Sequence, residues 1–328
     1  MTRIRLTLSG IVFSLICFVF VSAAQAQATR TFVSGVGNDA DPCSRTAPCR
    51  TFAGAIIKTA INGEIDALDP GGYGTVNITK SITIDGTYGS GFGSILASGT
   101  TGVIINIAVG VNDPHRRVTL RRLSINGTGL SGAVGTNTGT RGISATTNGF
   151  NQLYVEDCDI QNFSTSGIRV DFAPPAGGAR MTVRNTRITN INGVASATGI
   201  EINGATANFI SVVLDRVTID RAVTGVNSRD RSFITMRDSF IHNCTTAGIA
   251  INAPSNQNHL NLENTFLFSV NTGIAAGNAG TKVVISNTSI FDNATGVSSA
   301  GATLESHGNN RFNNNTSNGS AFNNIGQL

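Results

Sequence analysis

Leu153-Tyr154-Val155-Glu156-Asp157-Cys158-Asp159-Ile160-Gln161-Asn162, closed a few residues later by Gly167-Ile168, is a phrase that this chain repeats. It returns as Met181-x-Val183-x-Asn185-x-x-Ile188-x-Asn190, closing on Gly199-Ile200, and again from Val212 to Ile219, closing on Gly225-Val226. Further copies start at Ile234, Leu260 and Val283 and close on Gly248-Ile249, Gly273-Ile274 and Gly296-Val297. Val118-x-Leu120-x-x-Leu123-x-Ile125, closed by Gly142-Ile143, is an earlier degenerate copy. The closing glycines from Gly225 to Gly296 lie 23, 25 and 23 residues apart. Self-similarity at this period means a solenoid.

Within each copy the apolar residues fall two apart, which is strand period. Each run is about three residues long, rich in Val, Ile and Thr, with Gly or Asn at the bends. Such strands are stable only when stacked on neighbours. A coil of this length with three short strands is one rung of an all-β, parallel β-helix.

Stacking implies ladders. One corner position holds Arg122, Asp157, Asn185, Arg216, Asp238, Asn264 and Asn287, and a second holds Gly127, Asn162, Asn190, Arg221, Asn243, Ser269 and Asp292. Side-chain amides there are placed to bond from rung to rung. The outward position after the first strand reads Arg121, Glu156, Arg184, Asp215, Arg237, Glu263, alternating in charge as adjacent strands prefer.

Residues 1–26 read as a secretory signal: Arg3 and Arg5, an apolar core from Ile11 to Val21, and a small-residue cleavage site at Ala24-Gln25-Ala26. The apolar run is too short to span a bilayer, so no transmembrane segment is expected after cleavage. A secreted or periplasmic protein, near the cell surface, is the expectation. Losing Arg3 and Arg5 leaves 21 basic against 19 acidic residues, a balance that argues against a nucleic-acid partner.

Residues 27–64 form an N-terminal segment with a Cys loop and a helix, and residues 65–328 form the solenoid with an irregular last rung. Cys43 and Cys49, close in sequence and each preceded by a proline, are expected to form a disulfide in an oxidising compartment. Cys158 and Cys244, three rungs apart, are expected to be buried free thiols. Thr51 to Ile61 has helical spacing, is expected to end at Gly63, and serves as a lid for the first open rung. Asn126 to Asn148 and Asp171 to Ala179 read as excursions. Phe312 and Phe322 are placed to cap the far end.

Thr31-Phe32-Val33-Ser34-Gly35 … Gly37-Asn38-Asp39 … Cys43 … Pro48-Cys49-Arg50-Thr51-Phe52 … Ala55-Ile56 resembles the opening motif of secreted bacterial right-handed parallel β-helix repeat proteins of the pectin-lyase-like superfamily. Asp69-Pro70-Gly71-Gly72-Tyr73-Gly74 and Gly301-Ala302-Thr303-Leu304-x-Ser306-x-Gly308-Asn309-Asn310 continue the resemblance. It covers nearly the whole mature chain and implies the right-handed coil. It implies little about function, since the superfamily includes enzymes on acidic polysaccharides and many uncharacterised surface proteins.

A calcium-dependent lyase of that superfamily would resemble several acids on adjacent rungs with a basic residue. Here the outward acids alternate with Arg, leaving Glu156, Asp157 and Asp159, with Asp171 further round the rung, as one candidate group. Asp66 and Asp69 near Tyr73 are another, and His115 beside Arg116 a third. His307 falls in the Asn-rich tail. No nucleophile–base–orienter set and no His/Cys metal spacing emerges, so no catalytic residue, metal or cofactor is assigned.

One feature stands out. Phe240 and His242, then Phe266 and Phe268, then Ser289 and Phe291 take outward positions on three successive rungs. Such an aromatic face is either a binding platform or a surface covered by Phe322 and the C-terminal tail, or by a neighbouring loop. The expected function is a non-enzymatic exported scaffold recognising a polysaccharide or a surface protein. The alternative is a lyase or hydrolase acting on an acidic polysaccharide.

Overall fold

The computed structural model describes residues 27–86, 92–110, 112–129, 136–204, 208–253 and 257–326. The expected signal at residues 1–26 lies outside the described residues. The two-residue periodicity becomes three ladders of parallel strands. The first ladder runs from Ala28–Val33 and Thr59–Ala67 through Gln152–Glu156 to Asn323–Asn324. The second runs from Gly71–Gly72 through Asp159–Gln161 to Arg311–Asn313. The third runs from Val76–Ile78 through Ser166–Phe172 to Ser317–Gly319. Strands Ala179–Ile191 and Ile210–Ala222 pass through the first corner without a break, merging the first two ladders into a 20-stranded sheet beside the 10-stranded third.

Like sits on like in the interior. Leu153 pairs with Val118 and Met181, and Val155 with Leu120 and Val183. All six are at most 1% exposed. Each such side chain buried contributes roughly 1.5–3 kcal/mol of transfer free energy. A one-residue slip would turn the whole apolar set to water, so the pattern fixes the register.

The glycine that closes each repeat has a steric cause. A Cβ on Gly225 would stand 2.5 Å from the carbonyl oxygen of Gly248 on the next rung. The same holds along the column from Gly142 to Gly296, at 2.5–2.9 Å. None of these glycines has a positive φ, so close backbone approach, not turn geometry, demands them.

The corners do need turn geometry. Arg122, Asp157, Asn185, Arg216, Asp238, Asn264 and Asn287 all have φ between 42° and 54°. At the second corner Asn162, Asn190, Arg221, Asn243, Ser269, Asp292 and Asn314 have φ between 53° and 64°. Asn and Asp tolerate this left-handed conformation best among residues with side chains. They also bond along the axis: Asn185 donates to Asp157 at 2.6 Å, Asn264 to Asp238 at 2.7 Å, Asn287 to Asn264 at 3.2 Å and Asn190 to Asn162 at 2.6 Å.

At the N-terminal end the structure differs from the sequence expectation. The helix is only Phe52–Ile56, capped by the Thr51 hydroxyl accepting from the Gly54 amide. Thr59, Ala60, Ile61 and Gly63 belong to strand Thr59–Ala67, so Gly63 does not end the helix, and the boundary set at residues 64/65 falls inside that strand. Lateral pairing with the first ladder outweighs helical spacing over Thr59–Ile61. Strand Ala28–Val33 is already the first strand of that ladder. The buried side of the helix packs against the first strands, with the Phe52 ring 5.2 Å from Tyr73. Cys43 and Cys49 form a disulfide, and Cys158 and Cys244 are buried thiols whose pKa values burial pushes up to about 12.

The excursion after Asn126 ends earlier than its composition implied. Arg141–Gly149 is a strand of the third ladder. Asp171 likewise lies within strand Ser166–Phe172. At the C-terminal end Phe312 and Phe322 meet at 6.0 Å and pack against the end of the core.

Candidate functional site

The aromatic residues predicted at outward positions on three successive rungs do line up, on the second ladder. Phe240 pairs with Phe266, His242 with Phe268, and Phe268 with Phe291. Their rings stack at 5.0, 4.9 and 5.0 Å, tilted by 11°, 6° and 8°. Phe322 lies against Phe312 and does not cover them, and Phe240 is 42% exposed. The stacking uses the ring faces. Phe268 lies between His242 and Phe291, so only its edges reach water. A pyranose stacks on a ring face, and this column offers few. The His242 ring is held further by Asp220, 3.3 Å away, and by Asn243 at 2.9 Å.

The acids chosen from the sequence do not converge. Asp157 accepts from Asn185, Glu156 lies 3.8 Å from Arg184, and Asp159 lies 3.9 Å from Arg187. Asp171 belongs to the third ladder, paired with Arg169 at 2.6 Å and Asn203 at 2.8 Å. Asp69 and Tyr73 form a structural pair. The Tyr73 hydroxyl donates to Asp69 at 2.7 Å, as do Ser34 at 2.5 Å and the Gly35 amide at 2.8 Å. Burial opposes ionisation of Asp69, but these donors hold its pKa below the usual range. His115 stays exposed, while Arg116 is 4% exposed and bonded to the Asn148 carbonyl. His307 bonds to the Gly326 carbonyl at 2.6 Å.

Asp66 instead joins Glu64 and Asp85 on the first rungs of the first ladder. Their oxygens lie within 4.8 Å of one another, close enough for one hard cation. Arginines already hold the place. Arg30 contacts Asp66 at 2.6 Å and Glu64 at 2.9 Å. Arg121 contacts Asp85 at 2.7 Å and Glu64 at 3.2 Å, and Arg122 also pairs with Asp85. Three guanidinium groups neutralise three carboxylates, so the residues fit a metal poorly. Burial, then Glu64, raises the pKa of Asp66 to about 6.

The outward face of the first ladder gives a different arrangement, which sequence reasoning missed. Arg117, Gln152, Arg180, Ser211, Phe233, His259 and Lys282 are successive register partners. No acid interrupts this column. Beside it runs an uncharged column of Tyr154, Thr182, Val213, Thr235, Asn261 and Val284. Near the C-terminal end the two columns line a cleft of about 380 Å³ that also includes His307. One face of Phe233 stacks on Phe209 at 4.4 Å, and His259 tilts against it at 4.8 Å. Burial, then nearby Lys282, lowers the His259 pKa and favours the neutral imidazole. Lys282 is paired with Glu305 at 2.8 Å. The signal for this column was present in the repeat alignment, one residue before each first-strand apolar position. A larger groove of about 490 Å³ at the second corner is mostly apolar. Its one charged group, Arg221, already pairs with Asp220 at 3.1 Å.

No family model matches the chain, and no curated protein matches it. Solved structures do. Pectate lyase Pel9A is similar over 89% of this chain and 78% of its own, at 14% identity and a TM-score of 0.50. The alginate lyase from Paenibacillus sp. str. FPU-7 is similar over 89% of this chain and 100% of its own, at 12% identity and a TM-score of 0.52. The chain is a right-handed parallel β-helix of the pectin-lyase-like fold. At such identities the likeness extends to the fold and not to the site.

Proposed function

We propose that this protein is exported and acts on an acidic polysaccharide laid along the outward face of the first ladder. The observation that carries this reading is the acid-free column from Arg117 to Lys282, with an uncharged column beside it. Six rung steps at about 4.8 Å make a track of roughly 29 Å, long enough for several sugar residues. Cationic groups spaced along it suit a chain of repeated carboxylates. That two neighbours of the fold are named as lyases of pectate and alginate adds support. The stacked Phe column supports a non-catalytic binding platform less well, because from Phe240 to Phe291 it carries no Lys or Arg to meet a sugar carboxylate.

Elimination fits the cleft better than hydrolysis. Hydrolysis calls for two free carboxyl groups flanking the bond, and Glu305 beside the cleft is committed to Lys282. A neutral His259 suits proton removal, with the sugar carboxylate competing with Glu305 for the Lys282 ammonium. In that step His259 takes the proton from the carbon bearing the carboxylate. The electron pair becomes a C=C bond as the neighbouring C–O glycosidic bond breaks, and the leaving oxygen takes a proton from water.

The test is a panel of acidic and neutral polysaccharides, including pectate and alginate, with and without calcium, read for binding and for new unsaturated or reducing ends. His259→Gln is expected to keep binding and lose products. Binding without products in the unaltered protein would restore the recognition-scaffold reading. Absence of both would overturn the proposal.

A further inference from the structure

We propose that Arg141, Ser166 and Arg169 on the third ladder form a binding site for an oxyanion, independent of the polysaccharide track on the first. Arg141 opens strand Arg141–Gly149, and its direct partner on the next rung is Ser166. Arg169 lies three residues further along the Ser166 strand. Among the described residues, Arg141 Nε, Arg169 Nε and Ser166 Oγ are all buried and have no hydrogen-bond partner. Ser166 is fully buried. All three can donate, so two adjacent rungs hold a set of buried donors without an acceptor. Leaving such groups unpaired is costly, the more so where charge is involved.

Among the described residues, the carboxylates nearby are committed elsewhere. Asp171 takes Arg169 at 2.6 Å and Asn203 at 2.8 Å. Glu201 takes Arg169 at 3.3 Å and Arg229 at 3.8 Å. That pairs two carboxylates with two guanidinium groups and leaves the charge of Arg141 over. The excursion that leads into this strand, Gly127 to Thr140, contains no Asp or Glu. Burial, then the like charge of Arg169, disfavours protonated Arg141, against smaller attractions from Glu201 and Asp171. A guanidinium held under those conditions is stabilised by a planar or tetrahedral oxyanion, which accepts two parallel N–H bonds and brings the missing charge. The ligand class is therefore a carboxylate, sulfate or phosphate group, whether free or carried on a sugar.

The full mature protein, labelled with ¹⁵N, would be titrated with sodium sulfate against sodium chloride at equal ionic strength. The Arg Nε–H resonances would be followed, together with the melting temperature. Sulfate should shift the Arg141 and Arg169 signals saturably and raise the melting temperature above the chloride value. Arg141→Gln should abolish both effects, and Ser166→Ala, which removes one hydroxyl, should weaken sulfate several-fold. Arg311→Gln, at the far end of the second ladder, should respond like the parent. Equal responses to sulfate and chloride, or an undiminished response in Arg141→Gln, would overturn the site. A second arm compares sulfate with a uronate trisaccharide. Tighter binding of the trisaccharide assigns the site to a sugar-borne carboxylate, and tighter binding of sulfate to a free inorganic ion. The polysaccharide track is tested by other variants, so either proposal can fail alone.

Discussion

Asp66 is 2% exposed, faces Glu64 and Asp85, and holds its proton up to about pH 6. An unfolded Asp loses its proton near pH 4 (about 3.9). The folded chain therefore binds more protons between about pH 4 and 6, and stability falls as pH rises through that window. Above it the cost is fully present, offset by Arg30 at 2.6 Å. Asp66→Asn is expected to remove that slope and to melt higher than the parent at pH 7.5 but not at pH 4. Paired melting curves at the two pH values decide it, since other titrating groups cancel in the difference. The corner residues make a second argument at this scale. Asn264 has φ of 46° and bonds to Asp238 and Asn287. Asn264→Val should cost about 1–3 kcal/mol in urea unfolding, and Asn264→Gly clearly less. The sequence marked these corner positions as polar ladders. Their left-handed backbone is a property of the folded rungs.

The stacked aromatic column and the first-ladder face are features of elements, since each exists only where strands lie in register. Phe266 stacks on Phe240 and pairs with Ser289 on the other side. Phe266→Ala should lower stability by about 1–3 kcal/mol through lost stacking and burial, while leaving polysaccharide binding within about twofold. A large loss of binding with unchanged stability would return the column to the role of a ligand platform. The repeat alignment brought out these Phe residues because they recur at fixed spacing. It passed over Phe233, His259 and Lys282 because three different residue types at one position look like surface noise. Their meaning comes from adjacency across the rungs, with Phe209 from a loop completing the stack.

For the whole molecule, the proposed track predicts salt-sensitive binding. Affinity for an acidic polysaccharide should fall steadily as sodium chloride rises from about 0.05 to 0.5 M, where the screening length shortens to a few ångström. Arg180→Gln should weaken binding roughly threefold to tenfold and flatten that salt dependence. Isothermal titration at several salt concentrations measures both, and a salt-independent affinity would count against the track. By itself the sequence determined the solenoid, its three strands per rung, the charge alternation from Arg121 to Glu263 and the Cys43–Cys49 pairing. Those properties repeat along the chain or depend on residues close in sequence, so periodicity and spacing expose them. Tertiary structure decided the rest: the short helix, the Glu64–Asp66–Asp85 cluster held by Arg30, Arg121 and Arg122, and the unpaired donors at Arg141, Ser166 and Arg169. These depend on which side chains meet across rungs separated by loops of unequal length, and on which atoms burial deprives of water. A linear reading carries neither quantity.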